Sequence, residues 1–167
     1  MRWLRILVFL APLLATADDW EPLQFLIGQW TGQGTGSPGN GAGRFSFTPD
    51  LQGHILIRKS FAEYPAAGGK PGYRHDDLLI VYRDGAERQW RAIYFDNEAH
   101  VIRYTVAASA KEAVFTSDGT KAEARYRMTY RAAEGTDRLG FRFEVAAPGK
   151  ELTPYIDAVM RREAPGQ

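Results

Sequence analysis

Apolar and polar residues alternate with a period of two along most of this chain. Leu78, Ile80 and Tyr82 fall on one side of a stretch, as do Tyr126, Met128 and Tyr130. Leu139, Phe141, Phe143 and Val145 alternate with polar Arg142 and Glu144 between them. Such alternation belongs to half-buried β-strands. It predicts strands over residues 29–35, 44–48, 54–64, 75–82, 88–95, 100–107, 113–117, 124–131, 138–146 and 155–162. Between them, Arg83-Asp84-Gly85-Ala86, Asp96-Asn97-Glu98 and Ser117-Asp118-Gly119 supply turn chemistry at hairpin spacing.

Only one early stretch departs from this period. Trp20, Leu23 and Phe25-Leu26-Ile27 suit a short helical turn, with Asp19 as N-cap, Pro22 in the first turn and Gly28 as the stop. Short strands joined by short loops predict an all-β domain. The expected architecture is an up-and-down antiparallel β-barrel of about ten strands, because closure removes exposed edges. A two-sheet sandwich fits the same spacing. Residues 151–163 read as strand or helix, and Pro154 with alternation through Tyr155, Asp157 and Val159 favours strand.

Met1–Ala17 stands apart. Arg2 and Arg5 precede an apolar run from Ile6 to Leu14, and Ala15-Thr16-Ala17 then gives a small-x-small site before Asp18. This is the layout of a secretory signal peptide. The run is shorter than the ~20 residues of a spanning helix, so no stable membrane span is expected. The reading is an exported protein, periplasmic or extracellular, with residues 18–167 as one domain.

Charge narrows the partners. Without Arg2 and Arg5, the 21 basic residues become 19 against 20 acidic ones, a balance of −1. Nucleic-acid binding calls for a basic excess or stripe, and that class is excluded. There is no cysteine, which removes disulfides, thiol nucleophiles and cysteine metal sites. No Gly-x-Ser-x-Gly context surrounds any serine, and Gly32, Gly34 and Gly36 open no strand–loop–helix unit.

The stretch Phe25-Leu26-Ile27-Gly28-Gln29-Trp30-Thr31-Gly32-Gln33-Gly34-Thr35-Gly36 resembles the opening of calycin-like barrels. Nitrobindin, the haem-binding domain of THAP-type proteins and small exported lipocalin-like domains are similar, and Tyr94 to Tyr104 resembles one of these exported families. The resemblance covers most of residues 20–162. It implies that Trp30 closes one end of the barrel and that the glycines let the first strand bend. Nitrobindin-like proteins ligate haem through a histidine in the C-terminal strand. Here that strand, Leu152 to Arg162, holds none, and Tyr155 is its one residue resembling a haem ligand. No cofactor is therefore expected, with haem as the alternative that the resemblance brings.

Several residues are candidates for a ligand site. His75 and Asp77 share one strand face, with Asp76 on the other. They form a partial acid–base or metal pair, but the expectation is a solvated strand end, since no third ligand stands nearby. Asp96, Asn97, Glu98 and His100 are expected to make a hairpin turn, because Asp and Asn bond to local backbone. His100, Ile102, Tyr104 and Val106 share a face, so a histidine and a tyrosine line the cavity if that face points inward. Arg58 shares a face with Leu56, Ser60 and Tyr64. Inward, it needs a partner such as a ligand carboxylate; outward, covering apolar surface with its stem, it is in its expected place.

No catalytic or metal set emerges. The functional expectation is a protein holding a small hydrophobic or amphipathic molecule inside the barrel, with Trp30, Arg58, His75, Tyr94, His100 and Tyr104 as the ligand-binding candidates. The alternatives are nitrobindin-like haem binding and a small enzyme using a His–carboxylate pair in the same cavity.

Overall fold

The structure, a computed structural model, describes residues 17–85, 89–133 and 137–164. The signal-peptide reading of Met1–Ala17 therefore lies, apart from Ala17, outside the described residues. A 3-10 segment over Ala17–Leu26 leads into ten strands. They are β1 (Gly28–Gly36), β2 (Gly41–Asp50), β3 (Ile55–Tyr64), β4 (Tyr73–Arg83) and β5 (Trp90–Asp96). β6 (Val101–Ser109), β7 (Glu112–Ser117), β8 (Arg125–Ala132), β9 (Arg138–Ala146) and β10 (Thr153–Arg162) complete the series.

Every strand pairs antiparallel with its sequence neighbour, and β1 pairs with β10 from Trp30↔Arg162 to Gly36↔Ile156. The sheet is a closed up-and-down barrel, not a sandwich. The C-terminal segment is strand. The opening turn differs in detail from expectation. It begins at Ala17, so Asp19 lies within it and not at its start, and Pro22 sits inside it.

The inward face alternates along each strand. On β4 it carries His75, Asp77, Leu79 and Val81; Leu79 and Val81 are fully buried. Leu78, Ile80 and Tyr82 are the half-buried outer face of this almost continuous apolar run. At one end of the barrel Trp30, Phe45, Phe47, Leu56 and Leu139 pack tightly. Leu23 and Leu26 from the 3-10 segment, both 0% exposed, join them. The Trp30 indole N–H donates to the Leu26 carbonyl at 2.8 Å. The guanidinium of Arg162 lies 4.2 Å from the Trp30 ring centroid and donates to the carbonyls of Phe25 and Ile27. Trp20 stacks at 4.6 Å on Trp90 and donates to Gly53 at 2.7 Å. The N-terminal segment is thus fastened over this end by indole donors and one arginine fork.

The other end is hollow because of glycine. Continuing the inward alternation of Trp30 and of Phe45 brings Gly32 and Gly34 on β1, and Gly41 and Gly43 on β2, to the same barrel interior. Gly32 and Gly34 pair with Met160 and Ala158 across the β1–β10 seam, and with Gly43 and Gly41 on their other side. A Cβ on Gly32 would stand 2.3 Å from the Val159 carbonyl oxygen, so the close approach of the two strands requires glycine there. Gly28, at φ 126°, occupies a backbone conformation open to glycine alone and turns the chain from the 3-10 segment into β1.

Candidate functional site

The hollow half encloses a cavity of about 390 Å³, within the range of ligand pockets. Its wall is mainly aromatic and aliphatic: Tyr94, Tyr104, Tyr126, Phe141, Phe143 and Met128 among others. Tyr73 and Tyr155, 45% and 38% exposed, stand with His100 and Glu98 where the cavity meets solvent.

Arg58 corrects the outward expectation. It points inward, is 4% exposed, and pairs with the Asp77 carboxylate through Nη2. Its Nη1 donates to the Tyr130 hydroxyl and lies 3.9 Å from the Met128 sulfur. Burial acts to lower the guanidinium pKa, but the charge of Asp77 and the neighbouring phenols outweigh it and hold the group above its ordinary value. A buried arginine is tolerated here because the partner is built into the next strand.

His75 and Asp77 correct the solvated strand end in the same way. The Asp77 side chain is 6% exposed. Alternation had placed both on one face, and that face is the cavity wall. His75 bridges two partners: Nδ1 is 3.2 Å from Glu98 Oε1, and Nε2 is 2.9 Å from the Tyr94 hydroxyl. The same Nε2 is 4.0 Å from Asp77 Oδ2. Asp76 faces outward and binds Arg74.

The Asp96–His100 segment is the hairpin turn that was expected. Asp96 Oδ1 accepts from the backbone N–H of Glu98 and of His100, at 3.0 and 2.9 Å, and its Oδ2 meets His100 Nδ1 at 2.9 Å. Burial acts to raise the Asp96 pKa, but these donors outweigh it and hold the carboxyl below the usual range. His100 itself is 53% exposed at the rim and is not a core histidine.

Tyr94 and Tyr104 are both buried against the cavity, and burial pushes both phenols well above the ordinary value, with Asp77 adding to the rise. Of the candidate residues, Arg58, His75, Tyr94, His100 and Tyr104 come together on this cavity. Trp30 does not; it lies in the packed end, where it holds the N-terminal segment. Asp77 and Glu98 were expected in a solvated strand end and a hairpin turn and so were not among the ligand-binding candidates, and Tyr130 was not considered for the site. The alternation Arg58–Ser60 opposite Asp77–Leu79 was the available signal, but only the strand register shows which charges meet.

Eighteen chains of known structure match this one. Rv2717c from M. tuberculosis superposes over 89% of this chain and 99% of its own, at 16% identity and a TM-score of 0.62. A DUF3598-family protein of unknown function from Nostoc punctiforme also aligns, over 89% of this chain and all of its own, at 7% identity and a TM-score of 0.32. No protein-family model and no curated protein sequence matches the chain. At such identities the likeness is one of fold, and fold alone does not assign a ligand.

Proposed function

We propose that this protein is a binding module that holds a small amphipathic molecule in the hollow half of its barrel, and that it works outside the cytoplasm after removal of residues 1–17. One observation carries the first part: a mainly apolar cavity of about 390 Å³ whose wall includes a small, buried polar group around Arg58, Asp77 and the tyrosines. Small-molecule sites have this composition, apolar area for affinity with a few placed polar groups for orientation. An acid–base enzyme fits less well. His75 has both ring nitrogens engaged by Glu98 and Tyr94, and no nucleophile stands beside it among the described residues.

Haem, the cofactor that the nitrobindin resemblance implies, does not fit in its expected position. The inward residues of β10 are Ile156, Ala158 and Met160, and Met160 is packed against Gly32. Tyr155 sits at the rim with its ring edge on Phe143.

The test is titration with N-phenyl-1-naphthylamine, whose emission rises in apolar surroundings. Saturable binding is expected, weakened at least several-fold by Tyr104→Ala. Absence of binding to the folded protein would mean a filled core and would remove the proposal. Export is checked separately by intact mass: mature protein is expected to begin at or near Asp18, and Met1 retained on exported protein overturns that part.

A further inference from the structure

The buried polar group has a direction, and it determines what kind of head the ligand carries. Arg58 is the obvious anchor for a carboxylate, yet its terminal nitrogens are already engaged by Asp77 and Tyr130. Its Nε has no hydrogen-bond partner but is closed off from solvent, out of a ligand's reach. The cation is therefore neutralised inside the protein. A second anion beside it would face Asp77, with Asp96 and Glu98 on the same wall, while the other arginine of the lining, Arg44, is paired with Glu163.

The unspent capacity is on the oxygens. Asp77 uses Oδ1 for Arg58, while Oδ2 accepts no hydrogen bond among the described residues and has only His75 Nε2 near it, at 4.0 Å. That side chain is 94% buried and lines the cavity. Tyr94 adds a second acceptor. The Glu98 carboxylate can only accept, so His75 donates to it from Nδ1. His75 Nε2 meets the Tyr94 hydroxyl at 2.9 Å. Whichever of the two donates in that contact, the Tyr94 oxygen keeps at least one lone pair for the rest of the cavity. Tyr104 carries a third hydroxyl on the same wall, without a hydrogen-bond partner among the described residues.

We infer that the cavity selects an amphipathic amine, its ammonium head donating to Asp77 Oδ2 and the Tyr94 and Tyr104 hydroxyls while its apolar part lies on Phe141, Phe143 and Met128. An ammonium has three donors and no acceptor, which matches a wall offering oxygen acceptors and surplus negative charge. The inference rests on the binding reading above and adds the charge of the ligand. A carboxylate is disfavoured here by like charge and an alcohol is intermediate, since a hydroxyl gives one donor and no charge.

Competition on wild-type protein tests this. Bound N-phenyl-1-naphthylamine is displaced with octylamine, 1-octanol and octanoate, which share a tail and differ in head. Octylamine is expected to displace at a concentration at least tenfold below that of octanoate, with 1-octanol between them. Asp77→Asn keeps an oxygen for Arg58 and removes the charge; it is expected to bring octylamine to the level of 1-octanol measured on the same variant. Octanoate binding as tightly as octylamine would overturn the inference and leave the binding reading standing, with Arg58 as a carboxylate anchor. If the fluorescent probe itself does not bind, the binding reading and this inference fail together. Should Asp77→Asn not fold, the wild-type ranking decides alone.

Discussion

Arg58 and Asp77 meet on the diagonal of a strand pair. Arg58 is registered opposite Leu79, and Asp77 opposite Ser60, two positions along β3 and β4. Direct cross-strand neighbours are closer, but a long side chain reaches the diagonal one easily. The pair is thus placed by register and needs no loop to position it.

Removing one member is expected to be costly. Arg58→Met strands a buried carboxylate and should lower unfolding free energy by about 3–5 kcal/mol, whereas Arg58→Met with Asp77→Leu should recover most of that loss. Denaturant unfolding followed by tryptophan fluorescence measures both. A single-mutant cost under about 1 kcal/mol would show that the pair is hydrated in solution.

Trp30 governs the packed end. Trp30→Ala is expected to cost about 3–5 kcal/mol, the range for deleting a large buried aromatic. Arg162→Lys keeps the charge but loses the planar fork that covers the indole and binds two carbonyls; about 1 kcal/mol is expected. The same unfolding curves report these losses.

The tyrosines make stability sensitive to alkali. Burial raises the phenols of Tyr94, Tyr104 and Tyr130, and pushes Tyr64 up to about 12. The unfolded groups titrate near 10. A folded pKa above the unfolded one gives stability that is fully present below about pH 10 and is lost as pH rises toward the folded values. Absorbance at the phenolate band should therefore lag behind that of denatured protein at about pH 11, and the lag should vanish on unfolding. Coincident native and denatured titrations would place these hydroxyls in water.

Hemin provides the contrast with the resembling families. Titration into apo protein is expected to give no sharp Soret shift of a one-to-one complex, because β10 offers no histidine at its inward positions. A tight stoichiometric complex would instead implicate His100, whose Nδ1 is held by Asp96.

Much of this was legible in the chain because alternation and turns are local. All ten strands lie within a few residues of where the pattern puts them. One extension, Gly41–Gly43 on β2, contains two glycines that leave no side chain to alternate. The site was less legible. Arg58 in isolation is a surface residue by every local criterion, and only its register with Asp77 makes the inward rotamer affordable in energy. Tyr130 showed its alternation plainly, but not the hydroxyl that meets Arg58 70-odd residues earlier in the chain. Asp96 and its turn were visible because an aspartate bonding to its own following backbone is a short-range event.

The seam between β1 and β10 has a consequence for synthesis and truncation. The strand that closes the barrel is also the last of the ten to leave the ribosome, and its partners begin at Trp30. Until Thr153–Arg162 has emerged, the chain has two unpaired strand edges, β1 and β9, and no enclosed space. Ligand cannot act as a template for the first half of folding, because the compartment that would hold it does not yet exist. A chain ending before residue 153 should expose both edges to other chains and aggregate, whereas a circular permutant joining the termini near Arg162 and the 3-10 segment would convert the slowest, most distant pairing into a local hairpin.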